Sequence, residues 1–242
     1  MLLKIITAVV ALAVIAITYF YVDAQRNGAC PKSWALKMIG ATGYIAVGAL
    51  CVVMTGEFSA FDKAMILALV FSWLGDLFLH MWFHKIWTAL GFVCFLTSHI
   101  CFIRAYMIGA SSLTASAPEK SFFSIGEIIA VAVFVILFIV CMIKSKMNLK
   151  GLMKLPIIIY GIVIMTMLCK ASILGIEAVK AGITPLCLVC AVAGAVNFVM
   201  SDFSISFLMF DKKQKKNFKL KLFNMYTYFI AEILLASLIY FI

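Results

Sequence analysis

Of 242 residues, 66% are hydrophobic and only 12% charged, and the mean hydropathy is +1.16. Soluble domains are about half apolar and about a quarter charged, so this composition excludes one. The net charge of +10 is sorted by loop and does not gather on a soluble face, which argues against nucleic acid as a partner.

Apolar runs of about 20 residues cross a bilayer as helices, because a helix satisfies its own backbone hydrogen bonds where water is absent. Eight such runs follow one another, near residues 2–22, 33–54, 63–82, 86–108, 122–143, 152–174, 185–208 and 218–242. The apolar stretch of the first, Ile5 to Val22, exceeds the about 7–15 residue core of a secretory signal and is read as a retained helix. The expected fold is all-α and polytopic, a single eight-helix transmembrane domain over residues 1–242.

The connections between helices 1 and 2, 3 and 4, 5 and 6, and 7 and 8 carry thirteen Lys and Arg, six of them in the run DKKQKKNFKLK at 211–221. The opposite side carries four: Lys4, Lys63, Lys120 and Lys180. Positive loops stay cytoplasmic, so both termini are expected outside, in a bacterial inner membrane, with the lysine run meeting anionic membrane lipids. Of the eight cysteines, Cys30 falls in a loop and the rest in spans, where they read as small apolar fillers. Cys187 and Cys190 form a CxxC without the second pair that a zinc site needs.

An ionisable group at mid-membrane costs on the order of 2.5–3.5 kcal/mol, so each is a candidate for function. The stretch FSWLGDLFLH at 71–80 holds one, Asp76. The others are Lys37, His99, Arg104, Glu127, Lys170, Asp202 and Glu232, with Tyr160, Asn197, Asn224 and Tyr228 as neutral polar companions. Glu127 is discounted as close to a helix end, and Arg104 and Lys170 as able to snorkel to the interface. At about 100° per residue, Asp76 shares a face with Ala68, Ser72, Gly75 and His80, and Asp202 with Gly194, Ala195, Phe198, Ser201 and Ser206. Lys37 shares its face with Gly40, Ala41 and Tyr44, and Glu232 with Asn224, Met225 and Tyr228. Small, polar faces let helices approach and keep a carboxylate out of lipid.

By rise along each helix, Asp76, Asp202, Lys37, Tyr160 and Tyr228 fall at one level in the cytoplasmic half, with His99 and Glu232 nearer the middle. That is the pattern of a polar cavity open to the inner leaflet. Asp76 and Asp202 each sit on the third helix of a four-helix half, which suggests a 4+4 parallel repeat, a device also used by transporters.

LGD at 74–76, GFVCFLTSH at 91–99, Tyr160 and GAVNFVMSD at 194–202 together resemble the YhhN-like membrane proteins, a family that includes the animal lysoplasmalogenases. The resemblance runs nearly the whole length. The chain departs from the family at Met38, where a proline is usual after the lysine, at Phe102, often Tyr, and at Glu232, usually an uncharged residue such as Gln. The resemblance implies hydrolysis of the vinyl ether of lysoplasmalogen, taken from the inner leaflet, to a fatty aldehyde and glycerophospho-ethanolamine or -choline, without cofactor or metal.

That reaction needs a carboxyl that delivers a proton to carbon and a carboxylate that stabilises the cation or activates water, a division of labour known from glycosidases. Asp76 and Asp202 are the expected catalytic pair, either one the acid. Lys37, Ser72, His99, Tyr160, Asn197, Ser201, Tyr228 and Glu232 are the expected supporting or substrate-binding residues. The main alternative is a proton-coupled carrier of a small molecule or lipid, with Asp76, Asp202, Glu232 and His99 as its relay. A purely structural pairing of the aspartates is a second, and zinc on Asp76, His80 and His84 a third. An intramembrane aspartyl protease is disfavoured, because Trp73 stands where its GxGD pattern has the first glycine.

Overall fold

The computed structural model describes residues 1–26, 28, 30–81, 85–114, 124–144, 154–211 and 213–242. They form eight helices: α1 (Leu2–Ala24), α2 (Pro31–Thr55), α3 (Ala60–His80), α4 (Lys85–Leu113), α5 (Ile125–Lys144), α6 (Lys154–Lys180), α7 (Pro185–Phe210) and α8 (Phe218–Ser237), the last followed by a 3₁₀ turn at Leu238–Tyr240. Seven are long and apolar enough to cross a membrane; the described apolar part of α5, Ile125–Leu137, is shorter. The architecture is that of a multi-pass helical membrane protein.

Local chemistry sets the boundaries. Ser59 and Asp62 exchange side-chain and backbone hydrogen bonds to start α3, and Asn217 accepts the Leu220 amide to start α8. Gly56 ends α2 in the left-handed conformation, at φ 76°. Gly182, at φ 85°, turns the chain from α6 to Thr184, whose hydroxyl and the following Pro185 open α7.

Six helices close a ring, each packed on the next: α2, α3, α4, α6, α7, α8 and back to α2. Exchanging the two four-helix halves maps this ring onto itself: α2 on α3 becomes α6 on α7, α3 on α4 becomes α7 on α8, and α4 on α6 becomes α8 on α2. The outer helices break the symmetry. α1 covers the seam between α2 and α8, whereas α5, among the described residues, packs on α6 alone. Lys4 Nζ lies 4.8 Å from the centre of the Tyr240 ring, which puts the two chain ends on one face.

Lys170, expected to snorkel, is instead buried and pairs with Glu127, joining α6 to α5. Pairing relieves the cost of holding either charge in an apolar setting.

Glycines let the ring close. A Cβ on Gly175 would stand 2.9 Å from the Cα of Leu188, so α6 and α7 meet there almost backbone to backbone. Gly175→Ala is therefore expected to lower the thermal midpoint of the detergent-solubilised protein, through an overpacking cost of about 1–3 kcal/mol. A midpoint equal to the parent's would mean that the two helices separate freely.

Candidate functional site

The ring encloses a cavity of about 580 Å³, walled by side chains from all six of its helices. Its wall is mostly apolar, with Phe92, Phe95, Ile164, Met165 and Met209 among the lining residues, and a few polar groups converge on it. Two of these are Asp76 from α3 and Asp202 from α7.

Asp76 is closed in. Its Oδ1 lies 3.0 Å from Lys37 Nζ on α2, and its Oδ2 accepts from the Tyr228 hydroxyl on α8 at 2.7 Å and from the Tyr44 hydroxyl on α2 at 3.3 Å. The two tyrosine oxygens are themselves 3.3 Å apart. One cation and two hydroxyl donors give both oxygens the partners that an ionised carboxylate needs.

Asp202 is held differently. Its Oδ2 accepts from Tyr160 of α6 at 2.7 Å and lies 3.2 Å from His99 Nε2 of α4; Tyr160 Oη and His99 Nε2 are 2.9 Å apart. His99 Nδ1 sits 3.2 Å from the Met167 sulfur. Both contacts to the Asp202 carboxyl are to Oδ2, so Oδ1 has no partner among the described residues. The side chain of Asp202 is 17% exposed, against 1% for Asp76. One carboxyl is fully engaged, and the other keeps an oxygen for something else.

The two nests follow the symmetry of the ring. Tyr44 on α2 serves the acid of α3 as Tyr160 on α6 serves that of α7, and Tyr228 on α8 crosses to α3 as His99 on α4 crosses to α7.

A family model described as the YhhN family matches residues 32–239, from the start of α2 to the final 3₁₀ turn. The chain belongs to the YhhN family. No curated protein and no solved structure matches the chain. The matched span takes in the whole ring and both carboxylate nests.

In this YhhN-family chain the other expected site residues are placed unevenly. Lys37, Tyr160, His99 and Tyr228 touch one or other aspartate as described above. Ser201 lines the cavity beside Asp202 and accepts from Asn224. Ser72 is buried and bonds Ser98 across α3 and α4 at 2.8 Å, bracing the wall, and its hydroxyl bonds neither aspartate. Asn197 does not join the site, because its amide donates to the Ala193 carbonyl of its own helix. His80 is buried against Ser33 Oγ at 3.3 Å, and His84 lies outside the described residues. Among the described residues no three His, Cys, Asp or Glu side chains form a cluster that could hold a metal.

Tyr44 and Asn224 are the additions. Tyr44 shared the face read for Lys37, which was the one sign that it would reach the same carboxylate.

Glu232 is completely buried on α8, near the hydroxyls of Ser72 and Tyr228, and neither of its oxygens makes a hydrogen bond of good geometry with a described group. The hydroxyls of its two neighbours are engaged elsewhere, with Ser98 and Asp76. Burying a carboxyl this way is costly, whereas an amide of the same shape carries no charge and brings donors for the serine oxygen. Glu232→Gln is expected to raise the thermal midpoint by a few degrees. A lower midpoint would show that the acid is bonded in a way this geometry does not contain.

Proposed function

We propose that this protein hydrolyses the vinyl ether bond of a lysoplasmalogen, with Asp202 as the acid and Asp76 as the fixed anion. The observation that carries the reading is the unequal solvation of two carboxyls on one cavity: Asp76 has a full set of donors, while Asp202 keeps one oxygen clear. Pairs of acids whose surroundings differ in this way divide the roles of acid and base. Membership of the YhhN family, which is linked to lysoplasmalogenase, supports the same reaction class.

Protonated Asp202 delivers its proton to the β-carbon of the vinyl ether. The π pair forms the new C–H bond, leaving an oxocarbenium ion whose charge Asp76 stabilises. Water adds to the cationic carbon, and the proton it sheds returns to Asp202. The resulting hemiacetal then breaks its bond to the glycerol oxygen, which takes the hydroxyl proton as the fatty aldehyde leaves. One water is consumed and no redox partner is needed. Tyr160 and His99 hold Asp202 in place throughout. The tail would lie along Phe92, Val93, Leu96 and Met209, an apolar part of the cavity wall. In this reading the lysine-rich face is cytoplasmic, the membrane is a bacterial inner membrane, and the substrate comes from the inner leaflet.

The test is aldehyde release from lysoplasmenylethanolamine by purified protein in detergent, with an ester lysolipid as the control. Release from the vinyl ether alone is the expected result. No release from intact, folded protein would overturn the hydrolase in favour of a proton-coupled carrier.

A further inference from the structure

Serines and threonines inside these helices have a common habit: the hydroxyl donates to the carbonyl one turn back, as Ser204 does to Met200 and Ser206 to Asp202 on the same helix. Ser201 departs from it. It is 3% exposed and lines the cavity, yet its hydroxyl donates to no acceptor among the described residues. The Asn224 amide donates both to the Ser201 carbonyl, at 2.7 Å, and to its Oγ, at 3.0 Å. A carbonyl can only accept, so the amide nitrogen must face α7, and Ser201 Oγ is held as an acceptor with its proton turned elsewhere.

A second set of unused donors faces the same cavity. Lys37 Nζ carries three N–H groups and, among the described residues, has one hydrogen-bond acceptor, Asp76 Oδ1, with the Tyr21 ring centre 6.0 Å away. Lys221, one turn before Asn224 on α8, adds a positive charge in the neighbourhood of Lys37. Buried donors without acceptors, next to surplus positive charge, ask for an anion with several oxygens.

We propose that Ser201 and Lys37 form a subsite for the phosphate diester of a single-chain lipid, with Asn224 as the residue that positions Ser201. The subsite reads phosphate and ignores the amine beyond it, so choline and ethanolamine head groups are taken alike, while an alkenylglycerol lacking phosphate is rejected. This rests on the proposed lipid substrate but not on the cleavage step, so binding tests it separately.

The experiment measures displacement of a fluorescent lysolipid from the full-length protein in detergent. The competitors are a non-cleavable 1-alkyl lysophospholipid with either head group, the matching 1-alkylglycerol, and inorganic phosphate alone. In the wild-type protein the phospholipids should compete at least about ten-fold better than the alkylglycerol. Ser201→Ala keeps the carbonyl that Asn224 grips, and it should weaken the phospholipids about ten-fold while leaving the alkylglycerol unchanged.

Equal loss for both ligands, or no loss for either, would overturn the subsite. Displacement by phosphate without a tail would overturn the lipid assignment in favour of a soluble anion. Phosphate-selective binding with no aldehyde release would leave the subsite standing and remove the hydrolase.

Discussion

Asp202→Asn is expected to lower kcat for aldehyde release by at least about a hundred-fold, the smaller end of what a positioned general acid contributes. The amide has the shape of the acid and still offers an oxygen to the Tyr160 hydroxyl, so the cavity and KM should change little. What it lacks is a proton that can be given to carbon. Asp76→Asn should also abolish turnover, but with a different signature, because it leaves the buried Lys37 without its counter-charge. The Asp202 variant should thus keep its thermal midpoint and the Asp76 variant lose it. Turnover by Asp202→Asn at the wild-type rate would end the proposal that this residue is the acid.

The second large effect is on stability. Lys37 and Asp76 form an ion pair in which both side chains are almost wholly out of contact with solvent. Removing one partner of such a pair strands the other charge and costs about 3–5 kcal/mol, whereas replacing both can be nearly neutral. Lys37→Met alone should therefore melt far below the parent in detergent, and Lys37→Met with Asp76→Asn should recover most of the loss. The cycle isolates the coupling, since the two sites touch. A double variant no better than Lys37→Met would mean that the pair holds nothing together.

Depth along the chain was legible in the sequence. Lys37, Asp76, Tyr160, Asp202 and Tyr228 fall at one level because rise per residue is fixed and the turns could be placed. Partnership was not legible. That Tyr228 reaches Asp76 while His99 reaches Asp202 depends on how helices are rotated against each other, and no single helix encodes that. Asn197 lies outside the face argument and enters as a supporting residue only for being polar: it is five residues before Asp202, about 140° round the helix from it, and it bonds back to its own backbone. Lys170 was misplaced for a related reason. A long stem can snorkel, but an acid on the neighbouring helix offers a closer partner, and only packing brings Glu127 within reach.

The unequal outer helices have a consequence for how a reactant arrives. With α1 against the seam between α2 and α8, and α5 among the described residues packed on α6 and not on α4, no described helix covers the wall formed by α4 and α6. Val93 of α4 belongs to that wall: it lines the cavity and is 57% exposed. A molecule dissolved in the bilayer meets this wall by sliding in two dimensions, without passing through water. Turnover should then follow the mole fraction of reactant in the membrane or micelle and not its bulk concentration, so that diluting it with inert detergent at constant total amount slows the protein.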